Sequence, residues 1–245
     1  MNLAAEKDDH IPVEVADGKS LNMGKVCSKT EKASFIHLCQ EFNDVFAWTY
    51  DDLKGFDPSL FQHTIDLVEN VKPVRQKQRP VNPKIEQLMR KELSKLIEAN
   101  IIFPIKHSSW VANLVPVRKK NGEIRLCVDF RDLNQASLKD HHPLPSMEQI
   151  LSKVSGSKRF SFLDGFSGYN QVLVKESDRY KTTFTTKWGT YAYCKMPFGL
   201  TNAGATFQKA MEMAFKKLID KFVLVYLGDI TVYSKNVEDH FDHLR

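Results

Sequence analysis

The sequence predicts an α+β fold, and three observations carry that prediction. RFSFLD, TTFTT, TYAYCKM, KFVLVY and ITVYS in the second half of the chain are short alternating or continuous apolar runs that read as strands. Apolar residues at helical spacing lie between and before them, most clearly Ile85, Leu88, Met89, Leu93, Leu96 and Ile97, so strands and helices share one unit. Finally, 42% hydrophobic residues in a chain of 245 supply a real core for one large or two small domains.

Composition narrows the function classes. No apolar run approaches the roughly 20 residues needed to cross a bilayer, and the acidic start MNLAAEKDDH is unlike a signal peptide, so an intracellular location is expected, in a cytoplasmic particle or the nucleus. The cysteines (Cys27, Cys39, Cys127, Cys194) are scattered without paired spacing, which points to neither a disulfide framework nor a zinc site. A balance of 35 basic against 30 acidic residues permits a polyanionic partner without demanding one.

Taken in order, residues 1–30 show no sustained periodicity and read as a flexible leader. SFIHLCQEFNDVFAW then reads as a short amphipathic helix running into a turn at Trp48 and Tyr50. VKPVRQKQRPVNP is rich in proline and basic residues and reads as an extended connector, able to track a phosphate backbone or simply solvated. Asn82 and Pro83 make a good helix start, and the stripe that follows stops at Asn100. ANLVPVR and IRLCVDF are strands joined through Asn121 and Gly122, a dipeptide favoured in two-residue hairpin turns. Further helices are expected around Met147 to Val154 and from Asn202 to Ile219.

Several residues stand where chemistry is possible. Asp164 ends an alternating strand just before Gly165, so its carboxylate should project from a strand end with little side-chain cover. Asp229 lies between two apolar strands joined only through Leu227 and Gly228, hence at or next to a hairpin apex. Paired carboxylates on adjacent strands suit divalent-cation binding for phosphoryl transfer, although a strand-end aspartate also serves simply to satisfy turn N–H groups. Gly199 lies in a loop leading into a helix, where a flat ligand can approach backbone; Met196, Phe198 and Tyr169 by themselves read as core. Arg118, Lys119, Lys120 and Arg125 crowd the hairpin tip, placed either to hold a triphosphate or merely to be solvated.

In this order, VPVRKKNGEIRLCVDFRDLN, HHPLPSMEQIL, FSFLDGFSGYNQ, MPFGLTNAGATFQ and VYLGDITVYS resemble the consecutive motifs of reverse transcriptases of gypsy-type LTR retrotransposons. The resemblance covers roughly residues 35 to 245, and FNDVFAW and FQHTIDL are similar to the region before the fingers in plant lineages. It implies a right-hand polymerase: residues 31–82 a pre-fingers helix and connector, 83–155 fingers with the start of the palm, and 156–245 a palm whose antiparallel sheet is backed by helices. The thumb and RNase H domains of such a polyprotein are expected to be missing, because HFDHLR falls in the helix after the palm hairpin.

The implied activity is RNA-directed DNA polymerisation by a two-metal mechanism with Mg2+, acting on an RNA or DNA template with primer and on deoxynucleoside triphosphates. Residue by residue, Asp164 and Asp229 match metal-binding aspartates, and Gly228 stands where the family has the first aspartate of its YxDD turn. Lys119 and Arg125 match residues that hold the triphosphate, and Tyr169 the aromatic gate beneath the sugar. Phe198 and Gly199 match the loop near the incoming nucleotide, and Gly165 joins this nucleotide-binding group. Asp129 and Arg131 match fingerprints with a structural role, and Gly204 replaces a more usual proline.

Glycine tolerates positive φ, so Gly228 should leave the hairpin intact while removing a carboxylate, and impaired polymerisation is expected. A nucleic-acid-binding remnant or domesticated scaffold without catalysis is the alternative. LGDI is also similar to the GDD turn of RNA-dependent RNA polymerases, but Ile230 stands where their second aspartate would be.

Overall fold

The computed structural model describes residues 10–16, 18–118 and 122–245. It begins with an antiparallel hairpin of β1 (His10–Ala16) and β2 (Lys19–Gly24), which buries Val15 and Met23. The reading of residues 1–30 as an unpatterned leader is therefore corrected for this stretch. Ile11, Val13 and Val15 do alternate, and Asp17-Gly18 is a hairpin dipeptide, but the run is short and interrupted by Pro12, so it is hard to see against the polar surroundings.

Helix α1 (Lys29–Glu41) starts earlier than the apolar spacing suggests, because Ser28 and Glu31 form a reciprocal capping box. It ends at Glu41, and Asn43–Val45 forms a separate 3-10 turn rather than a continuation. The Pro-rich connector is extended as expected and lies along the next sheet. The Gln76 N–H donates to the Val111 carbonyl at 2.8 Å, and the Gln76 carboxamide oxygen accepts from both the backbone and side-chain N–H groups of Asn113. Asn82 caps α2 (Pro83–Glu98), accepting from the Lys84 N–H, with Pro83 in the first turn. The helix buries Met89, Leu93 and Leu96, each worth about 1.5–3 kcal/mol. Leu88 and Ile97 remain exposed, so the buried stripe is narrower than the sequence suggests.

The chain continues through β3 (Ile102–Pro104), β4 (Ala112–Arg118), β5 (Ile124–Val128), α3 (Arg131–Ala136), α4 (Met147–Val154) and β6 (Arg159–Asp164). Then follow β7 (Phe184–Thr186), β8 (Gly189–Tyr193), α5 (Ala203–Ala214), β9 (Val223–Tyr226), β10 (Asp229–Ser234) and α6 (His240–Leu244). Helix α5 stops short of the expected Ile219, the following residues tightening into turns after Phe215.

Among the described residues, two further sheets form. One has the order β3-β8-β7-β4-β5, with a parallel β4–β7 pair among antiparallel neighbours; the other, β6-β10-β9, is antiparallel throughout. Helix α5 backs the three-stranded sheet through Phe207 and Gln208. One apolar cluster joins the two sheets: Phe184, Ile101, Met196, Val172, Val174 and Phe207 are all essentially inaccessible to water. The elements that carry the candidate site are thus packed on a shared core.

Candidate active site

Strands β9 and β10 are joined by two residues, Leu227 at φ 50 and Gly228 at φ 115, with Tyr226 paired to Asp229 across the turn. Positive φ at both central positions gives the hairpin a twist that matches its strands. Strand β10 pairs with β6 on its other side, and the register brings Asp229 directly opposite Asp164. Opposed residues of an antiparallel pair project from the same face with Cβ atoms about 4.5–5.5 Å apart, so the two carboxylates share one site. Both side chains are exposed, and neither has a hydrogen-bond or ion-pair partner among the described residues.

The floor of this site is aromatic. Phe207 of α5 is fully buried and stacks on Tyr169, with ring centroids 5.1 Å apart; Tyr169 in turn meets Phe198 at 4.5 Å. Gly168 passes so close over Phe207 that a Cβ there would lie 2.8 Å from Cζ, which explains a glycine one residue before the tyrosine. The Tyr169 phenol is pushed above its ordinary pKa by burial and, secondarily, by the Asp229 charge, which ties the ring electrostatically to the carboxylate site. At Gly204 a Cβ would lie 3.1 Å from the Leu227 side chain, so the position that departs from the usual proline is directly beneath the turn.

On the side of the five-stranded sheet, the Arg125 guanidinium lies 5.9 Å from the centre of the exposed Phe198 ring. A chain of ring contacts therefore runs from Arg125 through Phe198 and Tyr169 to Phe207 under the turn. Phe198 is surface rather than core, whereas Met196, two residues earlier, is fully buried. Asn134 fixes the Phe198-Gly199 loop: its amide donates to the Gly199 carbonyl and its oxygen accepts from the Thr201 N–H, both at 2.8 Å. Gly165 lies beside the Gly228 carbonyl, close to both aspartates. Lys119 lies outside the described residues, and Arg118 is exposed.

Asp129 belongs to a different arrangement. Its buried carboxylate accepts two hydrogen bonds from the Arg131 guanidinium at 2.7 Å each and one from Arg79 at 2.9 Å. Bonding to Arg131 chiefly, aided by Arg79, holds its pKa down at about 2. Since Arg79 lies on the Pro-rich connector, this cluster sews the connector to the end of β5, in keeping with a structural role.

Sequence reasoning passed over three residues. Phe207 and Gln208 end the motif MPFGLTNAGATFQ and hold the turn from below; Asn134 ends VDFRDLN and holds the loop. Their place within recognisable motifs was the available signal, but which backbone groups they reach depends on tertiary packing.

Two exposed carboxylates with no cation paired to them among the described residues suit one hard divalent ion. The described residues contain no group of three or more His, Cys, Asp or Glu side chains able to hold a metal. Among the described residues no helix is long and apolar enough to cross a membrane.

A family described as reverse transcriptase (RNA-dependent DNA polymerase) matches residues 117–245. The Pol polyprotein of transposon gypsy from Drosophila melanogaster is 35% identical over 191 residues, covering 74% of this chain and 18% of that protein. The transposon Tf2-3 polyprotein of Schizosaccharomyces pombe is 29% identical and covers 97% of the chain, again 18% of its own length. The chain thus spans about a fifth of these curated relatives. Among solved structures, a prototype foamy virus protease-reverse transcriptase aligns with a TM-score of 0.76 at 21% identity, over 89% of this chain and 29% of that one. A foamy viral protease-reverse transcriptase in complex with double-stranded DNA aligns equally well, at 20% identity, over 89% of this chain and 38% of that one.

Proposed function

The chain belongs to the reverse transcriptase family, and from that premise we propose that it is the fingers and palm of a retrotransposon RNA-directed DNA polymerase whose catalytic turn lacks one carboxylate. The observation that carries this reading is the register that sets Asp164 opposite Asp229 at the open end of the three-stranded sheet. The family generally uses a divalent metal; here we assign it as Mg2+, held by Asp164 and Asp229. Bound there, the metal would neutralise charge on the phosphates and activate the attacking hydroxyl.

The rest is positioning by the chain's own residues. Arg125 extends over Phe198, where its guanidinium would meet a triphosphate with a planar fork of donors. Lys119, by the motif it matches, would add a mobile charge. Tyr169, held flat on Phe207, would limit the space beneath the sugar. Gly165 and Gly199 leave backbone uncovered near the nucleotide. Template and primer would lie across the same face; foamy viral protease-reverse transcriptases of this fold are known in complex with double-stranded DNA and with an RNA/DNA hybrid.

Gly228 leaves the turn formed and the metal one ligand short, so low activity is expected. Primer extension on poly(rA)/oligo(dT) with Mg2+ and dTTP tests this. Gly228→Asp should raise extension well above that of the present sequence, and adding Asp164→Asn should abolish it. No gain from Gly228→Asp counts against the metal-ligand reading of that position, and extension that survives Asp164→Asn overturns the site. The missing carboxylate also favours a second reading, a nucleic-acid-binding remnant without catalysis. It predicts binding of template and primer that weakens with salt and with charge reversal at Lys119 and Arg125.

A further inference from the structure

We infer that Gln208 is a positioning residue for the carboxylate site, its side-chain amide completing the open edge of the three-stranded sheet at the turn that presents Asp229. Among the described residues β9 is an edge strand, with β10 on one side and no strand on the other. Tyr226 turns inward to pair with Asp229, so the flanking Val225 carbonyl and Leu227 N–H face outward. Those are the two groups that one residue of a neighbouring parallel strand would bond with its own N–H and C=O. Gln208 takes both: its oxygen accepts from the Leu227 N–H at 2.9 Å and its nitrogen donates to the Val225 carbonyl at 3.1 Å. Through its second hydrogen the same nitrogen donates to a Glu212 carboxylate oxygen at 2.9 Å, a bond separate from both strand contacts.

Two further features make this contact specific. Gln208 is only 1% exposed, so its polar atoms have no access to water in exchange for these bonds. Leu227, whose N–H it holds, sits at φ 50, a conformation that L residues seldom adopt and that needs support. The strained position and the buried amide meet at the residue two before Asp229. Losing the contact should free the turn to leave its geometry, and Asp229 would no longer be held opposite Asp164.

The effect on Asp229 rests on the metal-site reading, whereas the clamp itself does not, and the test separates the two. Residue-resolved amide hydrogen exchange of the 245-residue chain should show Leu227 protected by at least about a hundredfold, although its N–H points away from the sheet. Exchange at the rate of an exposed turn amide would overturn the inference without any variant. Gln208→Met keeps length and burial but removes donor and acceptor; Leu227 exchange should accelerate about tenfold or more and Mn2+ affinity fall about fivefold. Glu212→Ala, which leaves both strand contacts in place, should change neither by more than about twofold. Unchanged Leu227 exchange in Gln208→Met overturns the clamp, and lost protection with unchanged Mn2+ affinity overturns its positioning role. If Mn2+ binding to the unmodified chain is indifferent to Asp164→Asn, the metal-site reading has failed, and Leu227 exchange alone decides the clamp.

Discussion

Asp129 and the Asp164–Asp229 pair have opposite surroundings. Asp129 is buried with its charge committed to Arg131 and Arg79. Asp164 and Asp229 are exposed, face each other across a strand pair, and have no cation among the described residues. A committed carboxylate stabilises a fold, and two uncommitted ones side by side repel unless something positive joins them. The difference separates a carboxylate that holds the fold together from a pair that we propose takes a cation.

The largest expected effect tests the uncommitted pair. Asp164→Asn or Asp229→Asn should weaken Mn2+ binding by about a hundredfold, roughly 3 kcal/mol, in a titration followed by calorimetry. Equal affinity in either variant would place the metal elsewhere.

A buried neutral group offers the next contrast. His63 is buried against Thr206, its Nδ1 2.9 Å from Oγ1, and burial lowers its pKa to about 4 despite the opposing charges of Asp178 and Asp66. The unfolded chain binds this proton below about 6.5 and the folded chain does not until about 4. Its contribution is therefore fully present above pH 6.5 and lost as pH falls through 4, about 3 kcal/mol in all. Urea melts between pH 7 and 4 should show that fall, and His63→Gln should flatten it.

The committed acid comes third. Asp129→Ala should cost about 2–3 kcal/mol in urea melts, less than for a wholly buried pair because both arginines can return to water. Because its pKa is depressed, the stability that Asp129 contributes is present above the ordinary carboxylate value of 3.8 and is lost as pH falls through about 2. Asp129→Asn should remove that acid loss, and melts parallel to those of the unmodified chain would refute the pairing.

The smallest effect belongs to the turn. With φ at 115 and Phe207 at 3.4 Å from a Cβ, Gly228→Ala should destabilise by about 1–2 kcal/mol. Gly228→Asp should carry the same strain while gaining a ligand, so lower stability and tighter Mn2+ binding should appear in one variant. A destabilised variant without tighter binding would leave the turn a purely structural device.

Much of this was legible beforehand. Alternation in RFSFLD and the two-residue link in VYLGD place both aspartates at strand ends, and the strongly periodic helix α2 was recognisable with its cap. The leader was misread because a hairpin needs only a few alternating residues, and Pro12 breaks the run. Phe198 was ambiguous with core because a large apolar residue looks the same in either setting until Met196 is seen to take the buried place.

By itself the sequence determined what is local in origin: that the strongly patterned segments are strands or helices, that Asp164 closes one strand and Asp229 opens another, and that glycine occupies a turn needing positive φ. Those follow from periodicity and backbone sterics, which act over a few residues. Only the tertiary structure decided that the two aspartates share a register, that Asp129 is locked by an arginine from a distant connector, and that Gln208 reaches the turn. Register and long-range hydrogen bonds depend on how separate elements pack on a common core, and no short stretch of sequence contains that packing.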